Sequence, residues 1–294
     1  MLKPFVKWAG GKNSLIPQLT KYYPFELKNG TIKNYVEPFV GGGAVLIDIL
    51  QKYKINTAFA FDINSDLINC YNAIKTDVEG LIKELEQKQT EFFNLDNDNR
   101  QVYFYFIRSK YNSYNLTDEI NVKRASEFIF LNRTCFNGLY RVNKDGKFNV
   151  PCGKYKNPTI CDKNNLRGLS VLFKNVMFEC GDYKKSEPFV TNNSFVYFDP
   201  PYRPLSTTSS FTSYSKEDFN DENQKELAKY YSKLNTKKAK LMLSNSNPRN
   251  TNKDDAFFEN IYNGFVINEI FAKRMINSNA KGRGEISELL ITNY

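Results

Sequence analysis

Apolar and polar positions change their period along the chain, and the changes outline its parts. Tyr35-Val36-Glu37-Pro38-Phe39-Val40 and Thr57-Ala58-Phe59-Ala60-Phe61 are short apolar runs that read as buried strands. Between them Ala44-Val45-Leu46-Ile47 opens a helix, and Asn64-Ser65-Asp66 can cap another that carries Leu67, Ile68 and Tyr71. From Asp77 to Arg133 the spacing becomes helical, with Leu81, Ile82 and Leu85, then Tyr103, Phe106, Ile107 and Tyr111, on recurring faces. Leu139 to Val150 then alternates around Lys144-Asp145-Gly146-Lys147, the pattern of a hairpin with an Asp-Gly turn. Short strand-like runs return at 176–180, 195–198, 240–244, 264–271 and 286–292. Strands that alternate with helices predict an α/β core, residues 1–76 and 163–294, interrupted at 77–162 by a helical insert that ends in the hairpin.

Composition narrows the chemistry. Among 294 residues there are 41 Lys+Arg and 32 Asp+Glu, a formal charge of +9 that favours a polyanionic partner such as nucleic acid through counterion release. Histidine is absent, which excludes Ser-His-Asp and Cys-His catalysis and any histidine-bearing metal centre. Cys70, Cys135, Cys152, Cys161 and Cys180 are odd in number and form no Cys-x-x-Cys pair, so they read as reduced thiols, with no metal site expected. No run has the length or flanks of a signal peptide or a membrane span, so the expectation is a soluble, cytoplasmic protein.

The run Ser194-Phe195-Val196-Tyr197-Phe198 closes on Asp199-Pro200-Pro201-Tyr202. A carboxylate, a proline-fixed carbonyl and an aromatic face at the end of a buried strand suit the holding of a planar, amino-bearing base. The lone pair of such an amino group is delocalised into the ring. If Asp199 and the Pro200 carbonyl each accept one amino hydrogen, the nitrogen moves toward a tetrahedral shape and its lone pair is freed for alkylation. Taken alone, Asp-Pro-Pro is also the composition of a plain turn. Upstream, Gly41-Gly42-Gly43 follows a strand and precedes a helix, the opening of a nucleotide-type α/β domain. No Gly-Lys-Ser/Thr closes it, so a triphosphate is not the expected ligand. Asp62, at the end of the second strand, is placed to accept from ribose hydroxyls.

Phe5-Val6-Lys7-Trp8-Ala9-Gly10-Gly11-Lys12, Glu37-Pro38-Phe39-Val40-Gly41-Gly42-Gly43 and Asp199-Pro200-Pro201-Tyr202, in that order, resemble the Dam family of DNA adenine-N6 methyltransferases. The segments 132–141 and 148–155 are similar to that family's DNA-reading hairpin, and the likeness spans nearly the whole chain. It is closest to members that modify G-A-T-C in type II restriction–modification systems. The resemblance implies a Rossmann-like fold with a mostly parallel seven-stranded sheet whose last strands form an antiparallel hairpin, and 77–162 as an inserted target-recognition domain. It implies S-adenosylmethionine as cofactor, held by Lys7, Trp8, Ala9, Gly10, Lys12, Glu37, Pro38, Phe39, Gly41, Gly43, Asp62, Ile63, Asp182, Tyr183 and Asp199.

The implied partner is double-stranded DNA, with the target base flipped onto Tyr202 and with Lys7, Phe136, Asn137, Leu139, Arg141, Asn149, Pro151 and Tyr155 near the recognition sequence. By residue type, Arg141 can pair bidentately with a guanine, and Leu139 and Pro151 can touch a thymine methyl. Lys273, Arg274, Lys281 and Arg283 form a basic tail segment for phosphates. Each residue also has an ordinary structural role open to it: Trp8 as an anchor of a first helix, Asp182 as a cap, Arg141 as a phosphate contact. The polar stretch from Arg203 to Tyr214 reads either as a lid over the flipped base or as a plain loop. A monomer paired with a cognate restriction endonuclease fits this reading. The alternatives are an amino-methyltransferase for RNA adenine or a protein amide, and a non-catalytic DNA-binding protein on the same fold.

Overall fold

The computed structural model describes residues 1–113, 120–204, 219–273 and 285–294. Seven strands are present: β1 Asn34–Glu37, β2 Thr57–Asp62, β3 Val176–Cys180, β4 Ser194–Phe198, β5 Lys240–Ser246, β6 Val266–Lys273 and β7 Glu285–Thr292. They form one sheet in the order β3-β2-β1-β4-β5-β7-β6. β1 pairs in parallel with β2 and β4, and β4 with β5, whereas β7 runs antiparallel to both β5 and β6. Every residue of β4 is buried, which explains its unbroken apolar run: a strand flanked on both edges and covered on both faces has no side that needs polar residues. Parallel strands therefore direct their carboxyl ends, Glu37, Asp62 and Phe198, toward one edge, the edge at which open α/β sheets bind ligands.

The helices are α1 Ile16–Leu19, α2 Phe25–Lys28, α3 Ala44–Lys52, α4 Ser65–Thr76, α5 Val78–Phe93, α6 Asn97–Tyr111, α7 Val122–Thr134, α8 Lys163–Leu172, α9 Asp221–Asn235 and α10 Phe257–Ile261. α4 is capped as its sequence predicts, with the Asn64 side chain accepting from the Leu67 N–H at 2.9 Å. None of the described helices is long and apolar enough to cross a membrane.

The chain divides into two compact units. The first comprises Met1–Gly11, Gly41–Gln51 and Asp62–Gly181, so the segment 77–162 lies inside it together with flanking chain. Its centre is α7, which buries Ala125, Phe128, Ile129, Phe130 and Leu131, because α4, α5 and α6 all pack against it. Polar groups on so buried a helix need partners. The Arg124 guanidinium pairs with Asp66 at 2.5 and 3.1 Å, Tyr111 donates to the same carboxylate at 2.6 Å, and Glu127 meets Lys110 at 3.4 Å.

The expected hairpin forms in this unit as a single antiparallel bridge, Val142 to Phe148, beside backbone bonds from Asn149 to Arg141 and from Asn143 to Lys147. The Asn112 side chain, just past α6, ties down this arm of the hairpin, accepting from Phe148 N–H at 2.9 Å and donating to its carbonyl at 3.0 Å.

The second unit comprises Lys12–Val40, Lys52–Phe61 and Asp182–Tyr294. Its core gathers Tyr35, Phe195, Tyr197, Phe198, Leu241, Leu243 and Tyr231. α9 packs on β5, and the Tyr231 hydroxyl donates to the Leu241 carbonyl.

Candidate functional site

The site residues fall into two sets, one in each unit. In the second unit β4 delivers Asp199 at its carboxyl end, where Lys12 Nζ stands 2.9 Å from Asp199 Oδ1. Lys12 is only 4% exposed and the Asp199 side chain 19%, so the pair is largely shielded from water. Burial pushes the Asp199 carboxyl up to about 6, against the pull of the Lys12 ammonium, and the Glu288 charge adds to the rise. The same ammonium lies 4.6 Å from the centre of the Tyr202 ring, and the Tyr202 hydroxyl donates to Glu288 Oε2 at 2.6 Å. Asp199, Lys12, Tyr202 and Glu288 thus form one connected group drawn from three parts of the chain.

The turn after Asp199 is held from below. Gln224 on α9 donates to the Pro201 carbonyl at 3.0 Å, and Asn245 on β5 donates to Gln224 and accepts from the Arg203 N–H. Arg203 then grips Asp221 with two nitrogens at 2.7 and 3.0 Å, and Asp255 with a third at 2.7 Å. Among the described residues no group donates to the Pro200 carbonyl. One proline carbonyl is thereby tied down, and its neighbour keeps both lone pairs for another donor. Elsewhere in this unit Glu37 is buried and accepts from the Tyr35 hydroxyl at 2.7 Å, with Pro38 buried beside it. The Phe39 and Tyr183 rings stack at 5.3 Å. Asp182 caps the short turn that follows it, accepting from Lys184 N–H at 2.9 Å.

In the first unit the glycine turn shapes itself around the protein's own side chains. Gly41 has φ 47°, and a Cβ there would stand 3.0 Å from Trp8 Cδ1. Gly43 has φ 72°, and its Cβ would collide with the Tyr71 hydroxyl, which donates to the Gly41 carbonyl at 2.8 Å. Asp62 fastens the same turn: one carboxylate oxygen accepts from Gly41 N–H and the other from Asn64 N–H, each at 2.9 Å. Burial raises its pKa, while those backbone donors pull it down. Trp8 does not lie in a helix, and it stacks on Tyr140 at 5.6 Å and 26°. Ala9, Gly10 and the Ile63 side chain are exposed, Ile63 to 71%.

The same unit assembles most of the expected DNA-facing residues. Asn132 accepts from the Lys7 N–H and donates to the carbonyls of Lys7 and Gly138, which ties the N-terminal segment to the turn carrying Phe136 and Asn137. Phe136 is 52% exposed, an unusual state for an aromatic ring, and Asn137 adopts φ 55°. Lys7 Nζ lies 4.3 Å over the Tyr155 ring. Arg141 is exposed and donates to Asn149 Oδ1 at 2.8 Å, which aims its guanidinium, with Leu139 and Pro151 nearby in the hairpin.

Lys273 ends β6, whereas Arg274, Lys281 and Arg283, and the proposed lid from Leu205 onward, lie outside the described residues. Sequence reasoning missed Glu288, Tyr71, Tyr140, Gln224 and Asn245. Only Tyr140 carried a usable signal, since it falls between two expected base-reading positions.

This arrangement agrees with the relatives of the chain. It is similar to the type II methyltransferase M.MjaIII of Methanocaldococcus jannaschii, 53% identical over 294 residues that cover 100% of this chain and 99% of that protein. It is also similar to the type II methyltransferase M1.LlaDCHI of Lactococcus lactis subsp. cremoris, at 38% identity over 100% of this chain and 96% of that protein. The DNA adenine methylase of Vibrio cholerae is 34% identical over 98% of this chain and 95% of its own length. The family described as D12 class N6 adenine-specific DNA methyltransferase matches residues 8–276, well over half of the chain. With an acidic group and an open proline carbonyl at the end of β4, and that match across the fold, the chain belongs to the D12 class of N6 adenine-specific DNA methyltransferases.

Proposed function

We propose that this chain methylates the N6 nitrogen of adenine in duplex DNA at G-A-T-C, acting on a flipped base with S-adenosylmethionine as donor. The observation that carries the reading is the pair of acceptors at the end of β4: the half-buried Asp199 carboxylate, held by Lys12, and a Pro200 carbonyl that no described residue engages. Asp199 and Pro200 each accept a hydrogen bond from the amino group, Tyr202 offers the face on which the base stacks, and the nitrogen lone pair is turned toward the donor. Unstacking an adenine costs a few kcal/mol, and a base–aromatic stack returns roughly 1–3 kcal/mol, so the ring carries much of the cost of flipping.

Three observations fit the cofactor. The Tyr183 hydroxyl is buried with no hydrogen-bond partner among the described residues. Ile63 exposes an apolar surface directly after Asp62. The Asp62 oxygens each accept one backbone N–H and keep lone pairs for a ribose hydroxyl. Trp8, Ala9, Gly10, Gly41 and Gly43 would bind the remainder with Lys12, Glu37, Pro38, Phe39 and Asp182; when bound, the cofactor supplies an electrophilic methyl group.

Segment 77–162 reads the sequence together with Lys7, with Arg141 on a guanine beside Asn149, Leu139 and Pro151 on a thymine methyl, Lys7 and Tyr155 near the first guanine, and Phe136 and Asn137 about the flipped base. The exposed ring of Phe136 and the Arg141–Asn149 bond support this division of labour. Similarity to proteins named DNA adenine methylase and type II methyltransferase supports the activity and a restriction–modification setting.

Digestion of plasmid DNA treated with the protein and donor tests the reading. Nucleases blocked by adenine methylation at G-A-T-C should fail to cut, while those indifferent to it still do. Unchanged digestion by both kinds would refute the assigned site.

A further inference from the structure

Tyr202 is held at its outer end by a group that plays no part in the reaction proposed above. Its hydroxyl donates to Glu288 Oε2 at 2.6 Å, and burial keeps the phenol protonated, so it is always the donor. Glu288 lies on β7, opposite Ser246 of β5. Ser246 in turn donates to the Arg203 carbonyl at 2.7 Å, one residue past Tyr202. The antiparallel end of the sheet therefore grips both the ring and the backbone that follows it. A tyrosine ring left without the bond at its hydroxyl could turn about two side-chain torsions. With it, the plane on which a base would stack is set before any base arrives.

We propose that Glu288 is a positioning residue for methyl transfer: through its bond to the Tyr202 hydroxyl it orients the stacking face beside Asp199. The inference rests on the role given to Tyr202 under the proposed function. Glu288 never meets the substrate or the donor, and it acts only through the ring. Its charge has a second effect that makes the role testable. The charged and titratable groups around Asp199 are Lys12, Glu288, Tyr202 and Tyr197, and of these Glu288 is the other carboxylate. Its removal lowers the pKa of Asp199, because one like charge is gone while the Lys12 ammonium stays.

The test measures transfer of labelled methyl groups to G-A-T-C duplex DNA by the full chain, with saturating donor, across pH. Glu288→Ala should lower kcat at least about tenfold, as expected for a lost hydrogen bond to a charged acceptor, with KM for the donor unchanged. Tyr202→Phe, which keeps the ring and removes only the hydroxyl, should lose a similar factor, and the double variant should be no worse than either single one. Glu288→Gln, which still accepts from the hydroxyl, should recover most of the loss and shift the acidic limb of the rate profile to lower pH.

Losses that multiply in the double variant, or a Glu288→Gln as slow as Glu288→Ala with an unmoved limb, would show that Glu288 serves the stability of β7 alone. Wild-type rates indifferent to both Glu288→Ala and Tyr202→Phe would overturn the positioning role and leave the activity standing. No methylation of adenine by the wild type would overturn both.

Discussion

Replacing Lys12 with methionine should move the acidic limb of the methyl-transfer profile upward, because Lys12 is the group that keeps Asp199 ionised. The pair is close, 2.9 Å, with 4% and 19% of its side chains exposed. At that distance the gross attraction is about 6 kcal/mol in a medium of effective dielectric about 20, and desolvation offsets much of it. What survives is the usual effect of a contacting opposite charge on a carboxylate, roughly 1–3 pKa units. Asp199 already sits at about 6 with the lysine present, because burial outweighs the pairing.

Without the lysine the limb should lie between roughly 7 and 9. The ionised fraction at pH 7 then falls from about nine-tenths to between a half and a hundredth, a loss of roughly 2- to 90-fold in kcat that vanishes as pH is raised beyond the new limb. The assay is single-turnover methylation at saturating donor, which separates this effect from any weakening of donor binding. Stability should move the other way from activity. The folded state holds the Asp199 proton more tightly than the unfolded chain, so this group's contribution to stability grows as pH falls from above 6 toward the ordinary carboxylate range, while the rate falls. A limb that stays at the wild-type position in Lys12→Met, or a rate that does not recover at high pH, would refute the pairing as the reason for ionisation.

Other expectations are as direct. Asp199→Ala should still bind donor and DNA in equilibrium titrations yet lose methyl transfer, and retained turnover would contradict the role given to the carboxylate. Arg141→Ala should cost roughly 1–3 kcal/mol at one base pair of the recognition sequence in competition binding, whereas uniform weakening across all sequences would mark a phosphate contact. Gly43→Ala should destabilise the fold by about 2–4 kcal/mol in denaturant unfolding, from left-handed strain and collision with the Tyr71 hydroxyl, and Tyr71→Phe in the same chain should recover part of it. A loss below about 0.5 kcal/mol would mean that the turn relaxes freely.

The sequence by itself determined several features that depend on neighbours within a turn or two of chain. The Asn64 cap on α4, the buried run of β4, the glycine turn before α3 and the Asp-Gly hairpin turn are local, and each follows from backbone sterics or from alternation. The order of motifs also carried the family, whose description matches residues 8–276.

Tertiary structure alone decided which distant groups meet. Glu288 bonds Tyr202 across 86 positions because β7 inserts antiparallel between β5 and β6, and strand order is set by burial over the whole sheet. Lys12 reaches Asp199, Trp8 stacks on Tyr140, and Asn112 bonds the backbone of Phe148 for the same kind of reason. A side chain announces its own chemistry locally, but its partner is chosen by packing, and no periodicity along the chain encodes that choice.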